Sequence, residues 1–277
     1  TRVSDKKIPK RIAMIQCVGS RDVKTNPYCS EVCCMVAMKN AKLIKQHDPD
    51  VEIMIYYMDL RTVDEGHEEY YRGVRGHGVN FVRGNVARVR EDSETKNLLL
   101  RVEDTLTGEI KTGEVDMLIL STAVVPSKAG VETGAILGID RAASGFLKPI
   151  HAGLNPQETK TRAIYICGTA QGPKDISYSV SSAKAAASAA TAWCLAGEAA
   201  LELITPIVNE ELCIGCKRCQ RNCPYGAIKV VDGIARVDET SCKGCGICVA
   251  SCPAHALDLR YYRDEQIREE VAATVKS

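Results

Sequence analysis

The sequence predicts an α/β fold followed by a small α+β domain, and two observations carry this prediction. Near the start, apolar segments at residues 12–16 and 51–58 flank a predicted helix at 31–46. Segments that are apolar on both faces are typical of buried parallel strands, so this unit is predicted as a β–α–β crossover. Near the end, two matching cysteine runs are each followed by a strand-like segment, at residues 227–230 and 256–259.

The length and net charge of the chain limit which classes of function are expected. The chain has 277 residues with a net charge of +1, which gives no reason to expect nucleic acid or an acidic membrane surface as a partner. No apolar run is long enough to span a bilayer. The basic residues at the start are not followed by the longer apolar region and cleavage site of a signal peptide, so no secretory signal is expected and the protein is predicted to be cytoplasmic.

The chain contains 14 cysteines, most of them only a few residues apart. Closely spaced thiols suit a metal centre better than disulfides, which join distant segments more readily. A reducing, anaerobic setting is therefore expected.

The two runs near the end, at 213–224 and 242–253, both read C-x2-C-x2-C-x3-C-P. In the bacterial ferredoxin pattern the fourth cysteine of each run serves the other cluster. This predicts a ferredoxin-type domain with two 4Fe–4S centres and a short helix starting at each fourth cysteine. The first centre is assigned to Cys213, Cys216, Cys219 and Cys252, and the second to Cys242, Cys245, Cys248 and Cys223. Two zinc knuckles are the alternative interpretation.

A further cysteine group follows the first predicted strand. Cys17 ends that strand, and Cys29, Cys33 and Cys34 gather at the start of the predicted helix. An ordinary dinucleotide fold has glycines in this loop, with a pyrophosphate at the helix N-terminus. The four thiols predict a third 4Fe–4S centre, with a zinc site or unligated buried thiols as the alternatives.

The middle of the chain predicts mixed elements. A short helix falls within residues 64–78, and strand-like runs at 79–90, 97–103 and 115–122 predict an antiparallel meander. Residues 163–167 predict a buried strand that leads into Gly168, and a small-residue helix follows at about 177–195 with a free N-terminus. His67 and His77 are predicted at the surface. The isolated Cys167 and Cys194 are predicted as buried structural thiols.

The order of these pieces resembles the later part of a thioredoxin-reductase-type flavoprotein, that is, a partial dinucleotide-binding fold. With the residue 17–34 cysteine group, including I-Q-C-V-G-S-R-D and Y-C-S-E-V-C-C, and the ferredoxin tail, the chain resembles the heterodisulfide reductase A family. The resemblance implies the following domains: a basic leader (1–10), a degenerate second dinucleotide-binding domain carrying a 4Fe–4S site (11–125), the return segment of an FAD domain (126–204), a two-cluster ferredoxin domain (205–260) and a tail (261–277).

The resemblance also implies FAD as the place where an electron pair is split between two routes. It makes Lys39 the candidate for a cation near flavin N5, with a solvent-facing helix lysine as the alternative, and the start of the small-residue helix a donor of N–H groups to the flavin pyrimidine edge. The implied FAD-binding residues are Ser121, Thr122, Ala123, Gly168, Thr169, Asp175, Ile176, Ser179 and Val180.

Two features depart from the flavoprotein pattern. Thr169 stands where an acidic residue usually follows the glycine, and G-x-G-x-x-G is missing from the chain. The half that binds the ADP moiety of FAD is therefore expected on another polypeptide or in a longer subunit. Further partners implied are heterodisulfide-reductase B/C-like subunits and a hydrogenase- or formate-dehydrogenase-linked donor. The rival hypotheses are a non-catalytic electron-transfer scaffold and an NAD(P)H-dependent flavin reductase subunit.

Overall fold

The computed structural model describes residues 1–2, 5–196 and 204–275. Parts of the predicted leader, return segment and tail (3–4, 197–203 and 276–277) lie outside these ranges. The described residues form two compact units. The first comprises Thr1–Lys128, Ala142–Phe146 and Gly168–Val180, and the second comprises Ala129–Arg141, Leu147–Cys167 and Ser181–Ser277.

The regular elements of the structure are, in chain order, β1 (Arg11–Val18), α1 (Cys33–His47), β2 (Glu52–Tyr57), α2 (His67–Gly76), β3 (Val79–Arg83), β4 (Val86–Glu91), β5 (Leu98–Asp104), β6 (Glu109–Val115), β7 (Met117–Thr122), α3 (Lys128–Ile136), α4 (Ile176–Ala196), β8 (Pro206–Val208), α5 (Arg218–Asn222), β9 (Ile228–Val231), β10 (Ile234–Val237), α6 (Ile247–Ala250), β11 (Leu257–Leu259) and α7 (Asp264–Val275). No helix among the described residues is long and apolar enough to cross a membrane.

The first unit is built on a parallel sheet with the strand order β3-β2-β1-β7. Alternate residues of β1 point to opposite faces. Ile12 and Met14 pack with α1, whereas Ala13 and Ile15 pack with the three-stranded antiparallel sheet β4-β5-β6. Because β1 is covered on both faces, its sequence is apolar throughout most of its length, as the α/β prediction requires.

The strand boundaries of the meander differ from the prediction. The run at 79–90 is two strands: β3 belongs to the parallel sheet and β4 to the meander. The run at 115–122 is mostly β7 of the parallel sheet, and the third meander strand is instead β6. Gly84 marks the first break, because a Cβ there would collide with the Glu103 carbonyl oxygen.

The predicted strand at 163–167 is wrong. Ala163 lies in a turn with a φ of +58°, and in this run only Tyr165 forms a bridge, to Glu158. Ile166 is nevertheless buried and packs with Ile139 and Leu147. The long helix that follows is present as α4, close to its predicted bounds.

In the second unit the ferredoxin-type module contains two short antiparallel pairs, β8 with β11 and β9 with β10. Its core joins Ile228 and Leu257 to the thiols of Cys219 and Cys248. These two thiols lie on α5 and α6, whereas Cys223 caps the end of α5. The prediction that a helix starts at each fourth cysteine is therefore wrong: the helix carries the third cysteine and ends before the fourth.

Candidate metal centres

Four thiols surround one cavity in the ferredoxin-type module. Three come from the first run, Cys213, Cys216 and Cys219, and the fourth is Cys252 from the second run. The rest of the lining is mainly aliphatic side chains, with one glycine, Gly215, and one charged residue, Lys217. The structure therefore brings together the crossed quartet that the spacing predicts.

A second cavity repeats this arrangement. It is lined by Cys242, Cys245 and Cys248 of the second run and by Cys223 of the first. Each run thus contributes its fourth cysteine to the other cavity, which is the crossing expected of a two-cluster ferredoxin.

The donor chemistry of both cavities fits an iron–sulfur cluster. Each presents four soft thiol ligands in a mostly apolar lining. The backbone N–H groups of Ala227 and Ala256 donate to the sulfurs of Cys223 and Cys252, each at 3.3 Å. Within the described ranges, no three His, Cys, Asp or Glu side chains converge as ligands of a single metal ion.

Burial controls the protonation of two of these thiols. It raises the pKa of the Cys219 thiol, and it raises the pKa of the Cys248 thiol to about 11. Both thiols are therefore protonated at neutral pH without metal. Because metal ligands must be thiolates, cluster binding there releases protons.

The first cysteine group is also assembled. Cys17 lies at the end of β1, and Cys33 and Cys34 are the first residues of α1. Burial raises the pKa of the Cys17 thiol, and the neighbouring sulfurs of Cys34 and Cys29 raise it further. The hydrogen bond between Cys33 and Cys34 raises the pKa of Cys33 and lowers that of Cys34 to about 6. All four sulfurs are thus close enough to act on one another.

The loop that carries Cys29 is held by hydrogen bonds to its own ends and to the segment after β7. The Arg21 backbone N–H donates to the Tyr28 carbonyl oxygen at 2.9 Å, and the Tyr28 hydroxyl donates to the Val124 carbonyl oxygen at 3.1 Å. The Val124 N–H donates to Ser30 Oγ at 2.9 Å. Cys17 and Arg21 both have a φ near +60°, a conformation that is costly for non-glycine residues and is often found at functional sites.

Two side chains beside Cys17 have buried polar atoms without a hydrogen-bond partner in the described structure. They are both amide atoms of Gln16, which is 4% exposed, and Nη1 of Arg21. Such atoms each cost about 1–3 kcal/mol. A sulfur-rich group among the four thiols would offer acceptors to Arg21, so these residues fit a third 4Fe–4S centre.

The residues predicted to contact FAD lie in two segments of the first unit. Ser121 and Thr122 end β7, and the Ala123 N–H donates to the Val18 carbonyl oxygen at 2.9 Å. Gly168 and Thr169 form a short 3-10 turn, and Ile176, Ser179 and Val180 lie in the first turns of α4. The first segment thus lies next to β1, and the second leads into the start of α4.

The start of α4 is capped rather than free. Asp175 Oδ1 accepts the N–H of Tyr178 at 2.6 Å, which makes Asp175 the N-cap residue. The predicted free N-terminus is therefore wrong for this amide. The same end lies near the cysteine loop, because Lys174 and Asp175 act in opposite directions on the pKa of Glu31, which burial raises.

The other residues singled out from the sequence are less enclosed. Lys39 and His77 are exposed, and His67 is partly exposed. Cys167 is half-buried and Cys194 is exposed, so the prediction of buried thiols is wrong for Cys194.

Comparisons with known proteins agree with this geometry. Residues 206–259 match the model of the 4Fe-4S dicluster domain. The chain is 53% identical over 272 residues to the A subunit of the H(2)/formate:CoB-CoM heterodisulfide,ferredoxin reductase of Methanococcus maripaludis, covering 96% of this chain and 41% of that protein. The iron-sulfur A subunit of the CoB--CoM heterodisulfide reductase of Methanocaldococcus jannaschii is 52% identical, with the same coverage. The chain belongs to the heterodisulfide reductase A family.

This heterodisulfide reductase A-family chain spans about two fifths of the length of these curated relatives. Among solved structures, thioredoxin reductase of T. acidophilum aligns with 67% of this chain and 53% of its own length, with 15% identity and a TM-score of 0.45.

Sequence reasoning missed two residues beside the first cysteine group of this family member. Gln16 interrupts an otherwise apolar strand, and that polar interruption was the available signal. Arg21 gave no comparable signal, because its position depends on how the loop from Cys17 to Cys29 folds.

Proposed function

We propose that this chain conducts single electrons between a flavin and partner iron–sulfur proteins through three 4Fe–4S centres. The observation that carries the proposal is the pair of crossed thiol quartets, each lining one cavity. The assembled sulfurs of Cys17, Cys29, Cys33 and Cys34 support the third centre. The family relationship supports the redox role.

When bound, such centres accept and release one electron at a time. The residues around each cavity set the polarity and the hydrogen bonding of the cluster that it would hold. Most of each lining is apolar, and N–H donors such as those of Ala227 and Ala256 stabilise negative charge on the sulfurs.

The wider complex is also part of the proposal. FAD would convert an electron pair into single electrons sent along two routes, with its ADP moiety held by another polypeptide or by a further part of a longer subunit. Proteins like the heterodisulfide reductase B and C subunits, together with a donor linked to a hydrogenase or formate dehydrogenase, would exchange electrons with the chain. The names of the relatives, which include H(2), formate and ferredoxin, support these partners.

Anaerobic purification of the intact complex, with counts of iron, sulfide, zinc and flavin, tests this proposal. About twelve irons for this chain are expected from three centres. Stoichiometric zinc in place of iron would contradict it. A flavin spectrum with no flavin reduction by any donor would favour the scaffold hypothesis, and NADPH oxidation by the complex would favour the NAD(P)H-dependent reductase.

A Cys34→Ser variant tests the third centre. We expect it to lose about four irons per chain, since Cys34 is buried at 2% exposure among the other three thiols and serine is a poor ligand for iron in this setting. Iron and sulfide assays on anaerobically reconstituted protein measure the change. Cys194→Ser, at an exposed thiol outside the three groups, is the matched control and should retain its iron. Equal iron in both variants would contradict the third centre.

Flavin binding gives a separate prediction. The isolated chain is expected to bind FAD at least about tenfold more weakly than the intact complex does, because no G-x-G-x-x-G is present in the chain to hold the pyrophosphate. Equilibrium dialysis with FAD, of the chain alone and of the intact complex, measures this difference. Tight, stoichiometric FAD on the isolated chain would refute the prediction.

A further inference from the structure

The side chain of Arg21 is held against the first cysteine group by one carboxylate. Its Nη2 donates to Asp59 Oδ2 at 2.7 Å. The carbonyl oxygen of the same Asp59 lies 3.9 Å from Cys34 Sγ. One residue therefore touches both the guanidinium and a thiol of the group, which places Arg21 at the edge of the group.

The other end of the guanidinium is buried and lacks an acceptor among the described residues. Nη1 has no hydrogen-bond partner there, and the side chain as a whole is only 21% exposed. Buried charged donors are nearly always paired. The sulfurs of Cys17 and Cys34 lie close enough to the guanidinium to interact with it electrostatically.

We infer that Arg21 is a positioning residue that donates N–H···S hydrogen bonds to the proposed third 4Fe–4S centre and raises its reduction potential. The inference rests on the proposed function, since it requires a cluster at this site. Reduction adds one negative charge to the centre, and a fixed cation in a buried setting stabilises that charge. The guanidinium keeps its charge at any physiological pH, so the effect is permanent.

Asp59 orients the guanidinium of Arg21 without fully neutralising its positive charge. The carboxylate is also within 3.8 Å of Arg83, so its charge is shared between two cations. The backbone of Arg21, by contrast, ties the loop to Tyr28 whatever side chain is present. A substitution at position 21 therefore removes the charge and the donors while leaving this backbone anchor.

The test uses the full chain, reconstituted anaerobically, with redox titrations of all three centres followed by electron paramagnetic resonance. For Arg21→Gln we expect the equilibrium constant for reduction of the third centre to fall at least tenfold. This corresponds to a fall in its reduction potential of about 59 mV for one electron. The two ferredoxin-type centres should keep their potentials. Arg21→Lys keeps the positive charge but loses the forked N–H donors of the guanidinium, so the potential of the third centre should fall less in this variant. Arg83→Gln, which removes the other cation on Asp59, is the matched control and should shift less than Arg21→Gln.

Each outcome decides the inference. Three centres in the parent chain with no shift in Arg21→Gln overturn it and leave the proposed function standing. Only two centres in the parent chain overturn the third cluster and this inference together. If Arg21→Gln does not retain the third centre, Arg21→Lys is decisive: a small fall supports the inference, whereas an unchanged or higher potential, or loss of the centre, overturns it.

Discussion

A chain with Cys213→Ser and Cys252→Ser is expected to lose about four irons, whereas one with Cys213→Ser and Cys223→Ser is expected to lose about eight. The reason lies in the lining of the two cavities. Cys213 and Cys252 face the same cavity, so the first pair damages one centre. Cys223 faces the other cavity, so the second pair damages both.

Iron and sulfide analysis of the two double variants, with electron paramagnetic resonance of the reduced proteins, measures this difference. The design has its own control, because both variants carry two serines and share one of them. If ligands came from within each run, the pattern would be reversed, with the larger loss for Cys213→Ser and Cys252→Ser. Equal losses would also contradict the crossed arrangement.

Replacing Gly215 by alanine is expected to destabilise the ferredoxin-type module by at least about 1–3 kcal/mol from backbone strain alone. Gly215 has a φ of +65°, a region that side-chain-bearing residues rarely adopt. A Cβ at this position would lie 2.6 Å from the Gly233 carbonyl oxygen, which is backbone and cannot rotate away. The strain and the collision add to each other, and the same change would distort the first thiol cavity.

Anaerobic denaturant unfolding, followed through the cluster absorbance and the far-ultraviolet circular dichroism, measures the loss of stability. Gly73→Ala is the matched control, because Gly73 lies within α2 and a Cβ there meets nothing within 4 Å. That variant should gain about 0.5–1 kcal/mol in helix stability. Gly215→Ala with the same midpoint as the parent chain would show that the close approach at Gly233 is not rigid.

The fold was predictable where local sequence patterns match the environment. The apolar run of β1 is buried on both faces, and that burial leaves a direct trace in the sequence. The meander was harder because two breaks depend on distant contacts. Gly84 meets the Glu103 carbonyl oxygen across the sheet, and the Asp116 carboxylate accepts the N–H groups of Lys10 and Arg11. Neither partner is near in sequence, so the local pattern does not show where these strands begin and end.

The candidate metal centres also divide into features that local sequence predicts and features that depend on distant contacts. The two ferredoxin-type quartets were predicted because their ligands are fixed by short spacings, and the structure brings the same thiols together. The surroundings of the first cysteine group were not predictable to the same depth. The position of Arg21 depends on a left-handed backbone and on Asp59, which follows the next strand of the sheet.

The crossed quartets also constrain the order of biosynthesis. The first cavity cannot be closed until Cys252 has left the ribosome, long after Cys213 has emerged. Delivery of iron and sulfide by the cell's assembly machinery therefore has to wait for almost the whole module. Translation that stops between the two runs would yield a segment with orphaned thiols exposed to oxidation.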